Sequence, residues 1–283
     1  MKYKNRRKQN QMNETQKMIG VYFSGTGNSR YAVEHFVKTY DKAAMVYSIE
    51  DSDVTHHIET AGRIVFGYPV QYSNIPKIVK DFVDQNKSLW KGKKIFVIAT
   101  MGLFSGDGAG ILARRLEKHG AMIIGGLHLK MADSIADEKA LKRPLEKNQN
   151  LVALATQKIE RAAEDTKNGK APQEGIGFLY HMAGLFGQRL YFYNKTNNYS
   201  DKLKVDPRRC VGCGHCESIC PTKNIRIENK VAVAKDRCTM CYRCVNTCPK
   251  QAITLLGKRV VEQGTIEKYC NTSKEYDKRK TSL

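Results

Sequence analysis

The sequence contains no long apolar segment. No stretch approaches the roughly 18 consecutive apolar residues of a membrane-spanning helix. The first 17 residues, MKYKNRRKQNQMNETQK, are basic and polar and lack the apolar run that a signal peptide needs. We therefore expect a cytoplasmic protein whose cysteines are kept reduced.

Acidic residues are also scarce. The chain has 28 Asp and Glu against 48 Lys and Arg, and its formal net charge is +20. Residues 1–17 and 258–283 carry a large part of this excess of positive charge. We expect acidic partners, because a basic surface attracts them by electrostatic steering. No recognition-helix, zinc-finger or RNA-binding signature organises the basic residues, so we expect no specific nucleic-acid partner.

Cysteine is abundant, and eight of the nine cysteines lie in two matching runs. RCVGCGHCESICP (209–221) and RCTMCYRCVNTCP (237–249) both follow the pattern C-x₂-C-x₂-C-x₃-C-P. In this pattern three cysteines bind one 4Fe–4S cluster, and the fourth, followed by Pro, binds the other cluster. The prediction is a crossed set of ligands: Cys210, Cys213, Cys216 and Cys248 for cluster 1, and Cys238, Cys241, Cys244 and Cys220 for cluster 2.

Structural zinc is the alternative for these cysteines, because zinc sites also use C-x₂-C pairs. Such sites commonly have two pairs separated by a longer loop, so the two four-cysteine runs favour iron–sulfur clusters. We expect His215 to face solvent or support a ligand, and Cys270 to be a free thiol.

Apolar runs and helical patterns alternate before the cysteines. Apolar runs at 18–23, 45–49, 63–67, 94–100 and 121–131 predict five strands, and helical patterns include one that closes the series at 148–168. Alternation of this kind predicts an α/β fold with a doubly wound parallel five-stranded sheet. Ligands of such sheets bind beyond the carboxyl ends of the strands.

The segment SGTGNS, Ser24 to Ser29, directly follows the first strand. Glycines and hydroxyls at a helix N-terminus can bind a phosphate, although a Gly-rich turn with a helix cap is the simpler alternative. The segment resembles the flavodoxin phosphate loop, Ser/Thr-x-Thr-Gly-x-Ser/Thr. The resemblance implies a flavodoxin-like domain over 18–168 that binds FMN phosphate through Ser24, Gly25, Thr26, Gly27, Asn28 and Ser29.

Two later loops are similar in position to the loops that contact the flavin ring in flavodoxins. They are GYPVQYSNIP (67–76) and ATMGLFSGDG (99–108), and neither contains Trp. The resemblance implies that aromatic residues in these loops stack on the ring and that Pro69 and Gly102 shape its slot. The implied contacts are Tyr68, Pro69, Val70, Tyr72, Thr100, Met101, Gly102, Phe104 and Gly106.

The cysteine-rich region, over 203–257, resembles bacterial two-cluster ferredoxins. The whole chain resembles the fused flavodoxin–ferredoxin proteins of anaerobes, the EFR-family ferredoxins. This resemblance implies that FMN and two 4Fe–4S clusters exchange electrons with redox protein partners and that no catalytic residue is needed. The expected segments are a basic tail (1–17), the flavodoxin-like domain, a linker (169–202), a small α+β ferredoxin-like domain and a polar tail (258–283).

Two other functions fit parts of the sequence. In an oxidoreductase acting on a small organic substrate, Tyr68, Tyr72 or His128 would donate a proton near the flavin. A basic cluster-bearing protein could bind nucleic acid or a membrane surface through its tails and the aromatic segment 175–193. We expect that segment to pack between the two domains instead.

Overall fold

The computed structural model describes residues 17–103, 107–177 and 197–270. The predictions for Phe104 and Gly106, and for all but the first three residues of 175–193, lie outside these ranges. The described chain forms two compact units: 17–24, 29–129 and 157–177 make the first, whereas 25–28, 130–156 and 197–270 make the second.

The first unit is built on the five-stranded parallel sheet that the apolar runs predict. Its strand order, β2-β1-β3-β4-β5, is one of the common doubly wound orders. The strands are β1 (Met18–Tyr22), β2 (Val46–Ser48), β3 (Arg63–Pro69), β4 (Lys94–Met101) and β5 (Met122–Lys130). The predicted fold class is therefore confirmed.

Helices connect and follow these strands. They are α1 (Asn28–Tyr40), α2 (Val54–Thr60), α3 (Lys77–Gln85), α4 (Gly108–Glu117) and α5 (Leu145–Lys167). Helix α2 was not expected from the sequence, because its seven residues bury only Val54 and Ile58, too few to establish a helical period.

The core of the first unit lies in and around β3 and β4. Both strands are apolar along their length because a parallel sheet is covered on both faces. Phe66, Phe96 and Trp90 are fully buried, and the Trp90 indole N–H donates to the carbonyl of Val83. The packed strands end at one edge of the sheet, where the chain carries Ser24, Tyr68 and Thr100.

The second unit contains small antiparallel sheets and short helices, in agreement with the predicted ferredoxin-like domain. Strand β6 (Lys204–Val205) pairs with β9 (Ile253–Thr254), and β7 (Ile225–Glu228) pairs with β8 (Val231–Ala234). The helices are α6 (His215–Ser218), α7 (Arg243–Thr247) and α8 (Ile266–Tyr269).

Residues 258–270 differ from the polar tail that we expected there. They bury Val260, Ile266 and Tyr269 within the second unit. Over the described ranges, no helix has both the length and the apolar character needed to cross a membrane.

Candidate metal and cofactor sites

Each set of four cysteines lines its own concavity in the second unit. One is lined by Cys220, Cys238, Cys241 and Cys244. The other is lined by Cys210, Cys213, Cys216 and Cys248, and both are partly open to solvent. These are the two sets that the spacing of the cysteines predicts. Among the described residues, no group of three His, Cys, Asp or Glu is arranged to bind a single metal ion.

Backbone N–H groups donate to cysteine sulfurs in both sets. The donors are Ala232 to Cys210 Sγ at 3.3 Å, Asn224 to Cys220 Sγ at 3.2 Å, Met240 to Cys238 Sγ at 3.4 Å and Ala252 to Cys248 Sγ at 3.4 Å. Such donors stabilise the negative charge of ligand sulfurs and help to set the potentials of iron–sulfur clusters. Both concavities therefore have polar support suited to thiolate ligands.

Burial disfavours the ionised form of several of these thiols in the absence of a cation. It raises the pKa of Cys216 to about 11 and that of Cys241 to about 12, and it raises the pKa of Cys244 well above its ordinary value. A bound metal offsets this cost because metal ligation deprotonates a thiol. The donor set and its surroundings therefore fit iron–sulfur clusters.

A buried carboxylate, Asp137, holds the loop that carries Cys241. Its Oδ1 accepts a hydrogen bond from the Tyr242 hydroxyl at 3.0 Å, and Tyr242 lies between Cys241 and Arg243 in the second cysteine run. Its Oδ2 accepts from three successive backbone N–H groups, those of Leu255, Leu256 and Gly257, at 2.6, 3.0 and 3.1 Å. Asp137 thus fixes the segment after β9 and the cysteine loop against each other.

Ser134 links the phosphate loop to helix α7. Its hydroxyl lies 2.8 Å from the Thr26 hydroxyl, and its carbonyl accepts from the Asn246 side-chain amide at 2.8 Å. Asn246 lies between Cys244 and Cys248, and its Oδ1 accepts from the Gly264 N–H at 2.9 Å. We did not predict a structural role for Ser134, Asp137 or Asn246 from the sequence, because nothing in their local patterns distinguishes them from ordinary polar residues.

Two glycines allow the phosphate loop to approach its neighbours in the second unit. A Cβ on Gly25 would lie 1.9 Å from the carbonyl oxygen of Cys241. Gly27 has φ +93°, and a Cβ there would lie 2.3 Å from Ile266 Cγ2. The Ile266 N–H also donates to the Thr26 carbonyl at 2.9 Å. The loop is therefore packed between a cysteine-bearing loop and α8.

The phosphate loop presents donors suited to an anion. Within the described part of the chain, the N–H groups of Gly25, Thr26 and Gly27 make no hydrogen bond. They precede α1, whose N-terminus carries a partial positive charge. Asn28 is 8% exposed, its Nδ2 donates to the Ala132 carbonyl, and its Oδ1 is buried with no partner. The loop therefore fits a phosphorylated, hydroxyl-bearing ligand such as FMN.

The ends of β3 and β4 meet the start of α1 within the first unit. The hydroxyls of Ser29 and Thr100 lie 2.7 Å apart, and the Val70 N–H donates to the Thr100 carbonyl at 2.8 Å. Three of the implied flavin contacts therefore lie together. Tyr68 is fully buried and its hydroxyl donates to the Gly108 carbonyl, so its ring packs inside the fold.

The loop after β3 contains a strained turn. Tyr72 and Ser73 have φ of +46° and +55°, and Gln71 and Asn74 exchange backbone hydrogen bonds of 3.0 and 2.9 Å across them. Positive φ at both central positions is the requirement of a type I′ turn, which usually takes Asn and Gly there. The backbone cost is about 1–3 kcal/mol for each residue. Strain of this kind is common where a loop contacts a ligand.

His128, one of the alternative proton donors, is engaged within the fold. Its Nε2 accepts a hydrogen bond from the Ala109 N–H at 3.0 Å, and burial lowers the pKa of His128 below its ordinary value. A neutral imidazole with Nε2 as acceptor has no proton to donate from that atom.

Comparisons with known proteins identify one domain in each part of the chain. A flavodoxin domain model matches residues 19–153, and a 4Fe-4S dicluster domain model matches residues 209–252. No curated protein matches the chain.

Several solved flavodoxin structures resemble about half of the chain. A flavodoxin from the domain Archaea has 18% identity and a TM-score of 0.40 over 54% of this chain and 96% of its own. Two-electron reduced Megasphaera elsdenii flavodoxin has 23% identity and a TM-score of 0.37 over 50% and 98%. Oxidised flavodoxin 2 from Bacillus cereus has 22% identity and a TM-score of 0.37 over 50% and 98%.

The two domains define a redox protein of the electron-transfer class. The flavodoxin domain implies a flavin, FMN, and the second domain implies an iron–sulfur cluster. The chain is a flavodoxin–ferredoxin fusion.

Replacement of the buried carboxylate in Asp137→Asn should lower the free energy of unfolding by about 3 kcal/mol, because the amide cannot accept all four hydrogen bonds and places its own N–H₂ among donors. The matched control is Asp201→Asn, since Asp201 is exposed and its side chain pairs with Lys202. That variant should lose less than about 0.5 kcal/mol. Equal urea midpoints for the two holoprotein variants would contradict the role of Asp137.

Gly27→Ala should weaken FMN binding about tenfold or more, because the new Cβ forces the phosphate loop away from Ile266. Gly169→Ala is the matched control: Gly169 has φ +77°, and a Cβ there would meet no atom within 4 Å. Both variants place an alanine at positive φ, so fluorescence titration of each apoprotein with FMN separates a change in the phosphate loop from the general cost of such a substitution. Equal FMN affinities in the two variants would be inconsistent with the packing of this loop.

Proposed function

We propose that this protein is an electron carrier that transfers electrons between two 4Fe–4S clusters and one FMN. The observation that carries the proposal is the contact between the two motifs. The phosphate loop, at Gly25, lies against the carbonyl of Cys241, a ligand in the predicted cluster 2. The residues proposed to bind the FMN phosphate, 25–28, and the second cysteine run belong to the same compact unit, which supports the proposal.

The proposed ligands follow from the two concavities. Cys210, Cys213, Cys216 and Cys248 hold cluster 1, and Cys220, Cys238, Cys241 and Cys244 hold cluster 2. The N–H groups of Gly25, Thr26 and Gly27 bind the FMN phosphate, with the hydroxyls of Ser24, Thr26 and Ser29. The ring loops, 67–76 and 99–108, contribute the remaining contacts.

Iron–sulfur clusters exchange single electrons, whereas a flavin can hold one or two, so the combination converts between one-electron and two-electron reactions. The chain's own residues position the cofactors and set their surroundings. N–H donors to the cysteine sulfurs stabilise negative charge, and buried side chains around Cys244 lower the local polarity. No side chain has to transfer a proton to a substrate.

The proposed setting is the cytoplasm of an anaerobe, with acidic redox proteins as partners. The basic composition supports acidic partners, because complementary charge accelerates encounter between redox proteins.

Anaerobic purification should yield about eight irons and one FMN per chain.

Crossed ligation predicts which substitutions affect the same cluster. Cys220→Ser should alter the same cluster as Cys238→Ser, although Cys220 lies in the other run. Cys248→Ser should alter the same cluster as Cys210→Ser. Electron paramagnetic resonance of the reduced variants separates the two clusters by their spectra.

Cys270→Ser is the control for these variants. Cys270 lies outside both concavities, and burial raises the pKa of its thiol to about 11, so the substitution should leave iron content and both spectra unchanged. A Cys220→Ser spectrum that matches Cys210→Ser would rule out crossed ligation. Zinc without flavin in the purified protein would rule out the proposed function itself.

A further inference from the structure

The two cysteine sites differ in exposure. Among the eight motif cysteines, all of them described, Cys213 is the exposed one. The site of Cys238, Cys241 and Cys244 is lined by several buried residues: Leu203, Thr239, Tyr242, Val245 and Leu255. We call the predicted cluster 1 the outer site, because it has the exposed ligand, and the predicted cluster 2, none of whose four cysteines is exposed, the inner site.

The inner site is also the one beside the phosphate loop. Gly25 lies against the Cys241 carbonyl, and Thr26 reaches α7 through Ser134 and Asn246. These contacts involve the ligand loop of cluster 2. The exposed cysteine, Cys213, belongs to the other set. The loop proposed to bind the FMN phosphate therefore lies beside the ligand loop of cluster 2, whereas cluster 1 has the ligand that is open to solvent.

The surface around the outer site combines an apolar residue with basic residues. Val211 is 57% exposed, and Val211, Cys213 and Lys250 line the same concavity. Lys230 lies beside this loop, because a Cβ on Gly212 would be 2.4 Å from the Lys230 carbonyl oxygen. Arg208 and Arg209, both exposed, directly precede Cys210.

Basic residues outnumber acidic residues on this surface. The four basic side chains are exposed, and three exposed acidic residues, Asp206, Glu217 and Glu228, lie near them in the chain. The Asp206 carboxylate accepts from the Arg208 N–H at 2.9 Å. Residues 197–270 as a whole carry 14 Lys and Arg against seven Asp and Glu. A second copy of this chain would bring like charges together, whereas an acidic protein would complement them.

We propose that Arg208, Arg209, Val211, Cys213, Lys230 and Lys250 form a docking surface, here called the outer-loop surface, for an acidic ferredoxin-type partner. The proposal rests on the proposed function. One electron leaves the partner's reduced cluster and enters this chain at cluster 1, which is reduced in turn. No proton or group moves with it. Val211 supplies the apolar contact beside the exposed ligand, and the basic residues orient the partner.

The test uses the full-length holoprotein and, as the probe, a purified acidic bacterial two-cluster ferredoxin. Arg209→Glu combined with Lys250→Glu reverses two charges of the outer-loop surface. The matched control, Lys80→Glu combined with Lys87→Glu, makes the same change in net charge at exposed lysines of the first unit. Calorimetric titration gives the Kd of each complex, and anaerobic stopped-flow gives the rate of reduction by the reduced probe.

The outer-loop variant should bind the probe about tenfold or more weakly and be reduced correspondingly more slowly, whereas the control should stay within about twofold of the unsubstituted protein. Raising the salt from about 0.1 M to about 1 M shortens the screening length from about 10 Å to about 3 Å and should remove most of the difference between the variants. Equal Kd values for the two variants, or probe binding that salt does not affect, would overturn the proposal.

Failure of the docking surface is distinguishable from failure of the proposed function. Iron content, FMN content and reduction by dithionite, which is small and needs no docking surface, are measured for all three proteins. Full cofactor content with equal Kd values overturns the outer-loop surface alone. Absence of clusters or FMN from the unsubstituted protein overturns the proposed function. Sedimentation of the chain alone tests for a second copy, and self-association that the outer-loop variant abolishes would also contradict the acidic partner.

Discussion

The contact between Gly25 and the carbonyl oxygen of Cys241 is the constraint on which the rest of the second unit depends. Only a residue without a side chain permits it, because a Cβ would lie 1.9 Å from that oxygen. Ser134 and Asn246 extend the contact with hydrogen bonds, and Asp137 holds the neighbouring Tyr242. The SGTGNS loop and a cysteine-bearing loop are thereby joined through one close packing contact and several hydrogen bonds.

Those parts of the molecule that depend on local sequence were predictable. The five strands appear as apolar runs, because a strand covered on both faces has no polar side. The cysteines that line each concavity are the ones that the C-x₂-C-x₂-C-x₃-C-P spacing groups together. SGTGNS likewise shows its glycines and hydroxyls directly after a strand. In each case the signal lies in short stretches of the sequence.

The remaining features depend on partners distant in the chain. Asp137 accepts from residues 105 to 120 positions away, and Ser134 bonds Thr26 across 108 positions, so no local pattern marks them. The Tyr72–Ser73 turn was not predictable because its residues are unfavourable for positive φ, and the surrounding fold imposes the conformation. The burial of Ile266 in a segment with polar composition also arises from tertiary packing.

The central claim is that electrons pass between the clusters and the flavin inside one chain. It is tested most directly by anaerobic stopped-flow mixing of the holoprotein with less than one electron equivalent of dithionite, followed at wavelengths that separate flavin from cluster absorbance. The account predicts that cluster absorbance changes first and that flavin absorbance then changes with a first-order rate independent of protein concentration. A rate of flavin reduction that rises in proportion to protein concentration would contradict electron transfer within one chain. Flavin that stays oxidised while the clusters are reduced would also contradict it.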